Sequence, residues 1–71
     1  MPIDIKAHMP GTIAEIMVKV GDQVQAEDEL LILEAMKMEN PICASSAGMV
    51  KEIKVKEKDK VDTNQVLIVL V

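Results

Sequence analysis

The sequence predicts an all-β domain, a flattened barrel or sandwich of two four-stranded antiparallel sheets with an internal pseudo-two-fold axis. Three observations lead there. Of the 35 apolar residues in the 71-residue chain, 17 are Val or Ile, whose branched side chains suit the pleated surface of a sheet. Short apolar stretches alternate with turn-forming and charged residues, the rhythm of small antiparallel strands. The chain also matches itself at an offset of 37: residues 10–33 lie over residues 47–70 with nine identities in 24 positions, among them Gly11/Gly48, Ile16/Ile53, Asp22/Asp59 and Leu33/Leu70. Two copies are too few to cap a solenoid, so the halves are expected to pack on each other.

The elements follow in order. Ile3 to Lys6 reads as a first strand, and Gly11 as a turn. Ile16 and Val18 alternate with Met17 and Lys19, as Ile53 and Val55 do with Lys54 and Lys56, which is the period of a half-buried strand. Ile13 and Val50 fall on the opposite parity in both copies, which predicts a bulge or bend where the strand passes between sheets. Glu29 to Glu34 and Gln65 to Val71 read as strands buried on both faces, and Met38 to Ala44 as another. Further turns are expected at Gly21, at residues 26–28, 35–37 and 45–48, at Lys58 and at residues 63–64. A left-handed Glu27 would cost about 1 kcal/mol, and Asn64 less. Residues 1–71 make one domain. Stepping 37 positions either way from Lys37 reaches the chain ends, so the middle hairpin and the termini are expected at opposite poles.

Composition excludes several function classes. Twelve acids against eight lysines give a net charge of −4, and the chain has neither arginine nor any aromatic residue. Such a surface repels a phosphate backbone and offers no ring for bases to stack on, so no nucleic acid partner is expected. The longest apolar run, Val66 to Val71, is too short to span a bilayer, and the N-terminus lacks the features of a signal peptide. No direct membrane insertion is expected, and the chain reads as cytoplasmic. The single cysteine, Cys43, rules out an internal disulfide; its neighbours Pro41, Ile42 and Ala44 predict a buried structural thiol. His8 reads as a surface residue without chemistry. One histidine, one cysteine and scattered carboxylates show no metal-ligand spacing, and no catalytic residues are expected.

The segment 34–40 is unlike the other turns. It reads Glu34-Ala35-Met36-Lys37-Met38-Glu39-Asn40 and sets one lysine in a tight turn between two methionines, where Gly, Asn, Asp, Ser or Pro would be usual. Taken singly, a turn lysine is a solvated charge and the methionines are adaptable filler at the core edge. Together, midway between two copies of a repeat, these residues resemble the attachment motif of biotin carboxyl carrier domains. Met9-Pro10-Gly11-Thr12, Val20-Gly21-Asp22, Leu33-Glu34 and Ala47-Gly48 resemble the family's pattern too, so the likeness covers nearly the whole chain.

The resemblance implies a non-catalytic carrier with biotin in amide linkage on Lys37. Ala35, Met36 and Met38 then correspond to the recognition flank, with Glu34 and Glu39 beside it. It implies three partners: a biotin protein ligase, a biotin carboxylase that loads the ureido nitrogen of biotin with a carboxyl group (or a decarboxylase), and a carboxyltransferase that unloads carboxybiotin. Chemistry agrees, since an amide needs a primary amine and the lysine stem lengthens the swinging arm. No residues are inserted between Ile16 and Val24, which resembles the thumbless members of the family. The initiating Met1 and compact frame favour a free-standing carrier subunit. The alternatives are a lipoyl carrier domain, whose lysine usually stands between Asp and Ala, and an unmodified structural or assembly module.

Overall fold

A computed structural model describes residues 2–71; Met1, the first residue of the expected domain, lies outside them. Eight strands form, as β1 Ile3–Lys6, β2 Gly11–Ile16, β3 Gln23–Val24, β4 Glu29–Ala35, β5 Met38–Cys43, β6 Gly48–Ile53, β7 Lys60–Val61 and β8 Val66–Leu70. They build two four-stranded antiparallel sheets, ordered β1-β8-β6-β3 and β5-β4-β2-β7. This is the expected all-β sandwich. Ile13, Leu30, Leu31, Leu33, Val50, Leu67, Ile68 and Leu70 are fully enclosed between the sheets, and no polar or charged residue among those described is buried. Each such aliphatic side chain contributes about 1.5–3 kcal/mol on leaving water.

The duplication extends through the hydrogen-bonded register. Strand β5 faces β4 as Leu33↔Asn40, Ile32↔Pro41 and Leu31↔Ile42, and β1 faces β8 as Leu70↔Ile3, Val69↔Asp4 and Ile68↔Ile5, the same pairs displaced by 37 positions. The bulges repeat as well. One lies between Ile13 and Glu15 in β2, the other between Val50 and Glu52 in β6, where the parity of the sequence slips.

The strand limits correct several expectations. Gly11 is not a turn but the first residue of β2, and Ala35 is the last residue of β4. Strand β2 ends at Ile16, before the Met17 to Lys19 stretch expected to continue it. The crossing between sheets happens there and not at the bulge. After Met17 donates its N–H to the Leu30 carbonyl, the chain leaves its sheet and reaches Val50 in the other, where Gly21 N–H meets Val50 O at 2.8 Å. Burial on both faces holds along β8 from Leu67 to Leu70, whereas Glu29 and Glu34 of β4 are exposed.

The same contacts locate the two poles. Strand β2 starts at Gly11 against Glu34 and Ala35, and the chain then runs on to Gly21 and Asp22, which bond to Val50 near Gly48 and Val71. The hairpin 34–40 and Val71 therefore occupy opposite ends of a body 31 Å long.

Four turns join the strands by one device. In Lys19–Asp22, Gln25–Asp28, Lys56–Asp59 and Asp62–Gln65 the fourth N–H bonds back to the first carbonyl at 3.0–3.1 Å. The fourth side chain accepts the first N–H at 2.8–3.0 Å. The third residue is left-handed, with φ of 97° at Gly21, 75° at Glu27, 78° at Lys58 and 69° at Asn64, as a type II turn demands. Its N–H crosses to the opposite half, to Val50, Ala44, Ile13 and Ala7 respectively. Glycine at Glu27 or Lys58 keeps that N–H and removes a left-handed penalty of about 1–2 kcal/mol, offset in part by about 0.5–1 kcal/mol of chain entropy. Glu27→Gly and Lys58→Gly are each expected to stabilise the domain by about 0.5–1 kcal/mol, seen as a higher urea midpoint; an unchanged or lower midpoint would contradict the strain assignment.

Candidate functional site

The hairpin between β4 and β5 is closed by two residues. Ala35 pairs with Met38, so Met36 and Lys37 are the central positions, and both are left-handed with φ of 54° and 62°. Such a turn matches the right-handed twist of its strands but prefers Asn-Gly, because a side chain on a left-handed residue costs about 1–2 kcal/mol. Met-Lys is thus a strained choice. Residues kept in strained conformations against local preference mark places where the side chain itself is needed.

Met36 is 86% exposed and Met38 65%, an unusual display of thioethers at the tip of a strand pair. Lys37 stands between them, exposed, with no hydrogen-bonded partner; among the described residues the one ion pair joins Lys54 to Glu52 at 3.4 Å. Glu34 and Glu39 face each other across the strands, in a row that continues through Thr12 to Lys60. All of these but Ala35 are open to solvent.

Ala35 is 6% exposed and packs where Gly11 leaves room. A Cβ on Gly11 would stand 2.5 Å from the Glu34 carbonyl oxygen and 3.1 Å from the Ala35 Cβ. Only glycine lets β2 run so close under the root of the hairpin. Ala35 thus packs at the root of the turn and is almost fully buried, unlike its neighbours in the expected recognition flank.

Two supporting residues escaped the sequence reading. One is Gly11 in this role, the other Asn40. The Asn40 Nδ2 donates to the Met38 carbonyl at 3.2 Å and to the Leu33 carbonyl at 3.4 Å, so one side chain holds both strands below the tip. The signal was present in the repeat, since the equivalent position is Ile3.

Cys43 is half-buried, not buried as expected. It lies on the sheet edge, in an open groove of about 290 Å³ between β1 and β5 that is also lined by Asp4, Lys6, His8 and Ile42. An edge strand covers only one side of its residues. Partial burial first, then the negative charges of Glu29, Glu27 and Asp28, push the thiol above its ordinary pKa. No group of His, Cys, Asp or Glu among the described residues is placed to hold a metal ion, and no helix is long and apolar enough to cross a membrane.

This architecture has relatives. The family model described as a biotin-requiring enzyme domain of biotin/lipoyl type matches residues 3–70. The chain belongs to the biotin/lipoyl attachment family. It is 46% identical over 66 residues to the biotin/lipoyl attachment protein of Bacillus subtilis, covering 93% of this chain and 90% of that one. It is 48% identical over 64 residues to the biotin carboxyl carrier protein of Streptococcus mutans, covering 90% of this chain but 49% of the relative. Against the pyruvate carboxylase of Staphylococcus aureus it is 45% identical over 67 residues, covering 94% of this chain and 6% of the enzyme. A segment of the urea carboxylase of Kluyveromyces lactis superposes with a TM-score of 0.95 at 31% identity, covering all of this chain and 6% of that one. Members of the biotin/lipoyl family therefore include both short chains and small parts of long ones.

The raised pKa of Cys43 in the folded state favours folding below the unfolded thiol's pKa, and that contribution is lost as pH rises through the higher folded value. Alkylation of the folded protein by iodoacetamide is expected to be slower than that of a model thiol at pH 8, with its pH midpoint displaced upward. A midpoint at or below that of the model thiol would contradict the assigned environment.

Proposed function

We propose that this chain is a single carrier domain that holds biotin in amide linkage on Lys37 and contributes no catalytic group of its own. The observation that carries the reading is the placement of Lys37, a free primary amine on a two-residue turn, flanked by exposed methionines and remote from Val71. The residues present fit the group. The Lys37 side chain is exposed, the turn rests on Ala35 over Gly11, and the one ion pair among the described residues lies elsewhere, at Lys54 and Glu52. Bound biotin supplies a ureido nitrogen on which a carboxyl group can be carried.

The chain's own residues do the mechanical work. Lys37 provides a flexible four-carbon stem on a fixed root, so the arm's reach is spent beyond the turn. A rigid tip also reaches a partner's site without first being ordered, which lowers the entropic cost of docking. Tethering then keeps the cofactor at high effective concentration near two separate sites.

Relatives bearing this domain are pyruvate carboxylase, propionyl-CoA carboxylase and a glutaconyl-CoA decarboxylase subunit, which supports carboxylase-type partners. We assign a biotin carboxylase (or decarboxylase) and a carboxyltransferase as the two stations. A biotin protein ligase loads Lys37, its docking aided by Met36, Met38 and the acidic pair Glu34 and Glu39, and it supplies the base for the acylation. The free thiol of Cys43 is in keeping with a cytoplasmic setting.

Coexpression with a biotin protein ligase in the presence of biotin is expected to add one biotinoyl group, read by intact mass and mapped to Lys37. Lys37→Arg keeps the charge and is expected to abolish the adduct while changing stability by no more than about 0.5 kcal/mol, as for other exposed positions. An unchanged mass, a lipoyl adduct, or biotin mapped to another lysine would overturn the proposal.

A further inference from the structure

The two halves of the chain form an internal comparison, because residues 2–34 lie over residues 39–71 at the offset of 37, with only the hairpin tip, residues 35–37, lacking a counterpart. At the position of Asn40 the equivalent is Ile3, which packs against the core and pairs with Leu70 as Asn40 pairs with Leu33. An apolar residue therefore suits this site in the scaffold. In the half that carries the hairpin it is replaced by an amide, which donates to the carbonyls of Met38 and Leu33 at 3.2 and 3.4 Å. Apolar packing has been given up for two bonds to the hairpin.

We infer that Asn40 is a positioning residue for modification of Lys37, clamping both strands of the hairpin so that the strained Met36-Lys37 turn stays in one conformation. This rests on Lys37 being the attachment site. The geometry is specific: the Met38 carbonyl is the first after Lys37 on the return strand, and the Leu33 carbonyl lies opposite on the outgoing strand. One planar amide spans them. Without it, the left-handed pair at the tip relaxes into competing turn conformations, and only a fraction of molecules present the amine as the ligase requires. A reduced competent fraction raises the apparent dissociation constant of the acceptor and leaves the chemical step alone.

Asn40→Ile installs the residue that the other half uses, and Asn40→Thr keeps a donor on a β-compatible side chain. Purified biotin protein ligase, biotin and ATP would be used to measure initial rates against acceptor concentration. Amide hydrogen exchange and thermal denaturation would be followed alongside. For Asn40→Ile, KM is expected to rise about fivefold with kcat within about twofold of the parent, and the amides of residues 36–39 to exchange about tenfold faster. Its Tm is expected not to fall. Asn40→Thr, whose hydroxyl has one hydrogen to give and so holds at most one of the two carbonyls, is expected to fall between the parent and Asn40→Ile in KM.

Unchanged KM and unchanged exchange at the tip in Asn40→Ile would overturn the inference. So would a lowered Tm with faster exchange across both sheets, which marks a purely structural role. If the parent chain accepts no biotin, the Lys37 assignment fails instead, and accelerated exchange confined to the tip still decides whether Asn40 clamps the hairpin.

Discussion

Strand β2 can pass beneath the root of the hairpin only because Gly11 has no side chain. With 2.5 Å between the position of a Gly11 Cβ and the Glu34 carbonyl oxygen, any larger residue would push β4 outward at its last ordered turn of ladder. That contact fixes the register Thr12↔Glu34, buries Ala35, and so leaves two residues to close the turn. A turn of two residues with right-handed strand twist must be left-handed at both positions, whatever their side chains. Met36 and Lys37 accept that strain, and both stand exposed at the tip of the hairpin. The free amine at the pole is thus a consequence of a missing methyl group some distance below it.

Duplication separates scaffold from function in this family member. Where the halves agree, at Ile13/Val50, Leu33/Leu70 and the aspartates of the turns, the residues serve the core or the chain reversals common to both sheets. Where they differ, one half has acquired a task. The outer row Thr12, Glu34 and Glu39 beside the hairpin is polar and acidic, whereas the equivalent positions Met49, Val71 and Pro2 are apolar. The domain therefore carries different surface chemistry at its two ends on one backbone plan.

Much of this was legible in the sequence because it is written in local periodicity. The parity slip at Ile13 and Val50 became the two bulges, and the turns expected around Glu27 and Asn64 formed with those residues left-handed. The repeat also placed the hairpin at its midpoint. What stayed hidden depends on contacts between residues distant in the chain. Gly11 looks like a turn residue by composition, yet it belongs to a strand and is required by a neighbour more than twenty positions away. Ala35 looks like part of the turn but is held in β4 by burial, and Cys43 has apolar neighbours yet lies at an open sheet edge. The role of Asn40 involves backbone carbonyls, so the sequence shows only that an amide stands where the other half has Ile3, not what it bonds to.

Gly11 and Gly48 allow the central constraint to be tested by pairing two variants at equivalent places. An added Cβ at Gly48 meets the Val71 carbonyl at 2.8 Å and Leu70 Cβ at 3.6 Å, looser than the 2.5 and 3.1 Å at Gly11. Urea denaturation of Gly11→Ala beside Gly48→Ala is the most direct measurement. Overpacking at Gly11 is expected to cost about 1–3 kcal/mol, more than at Gly48. A Gly11→Ala domain as stable as the parent, or one less affected than Gly48→Ala, would show that the hairpin is not held by that close approach.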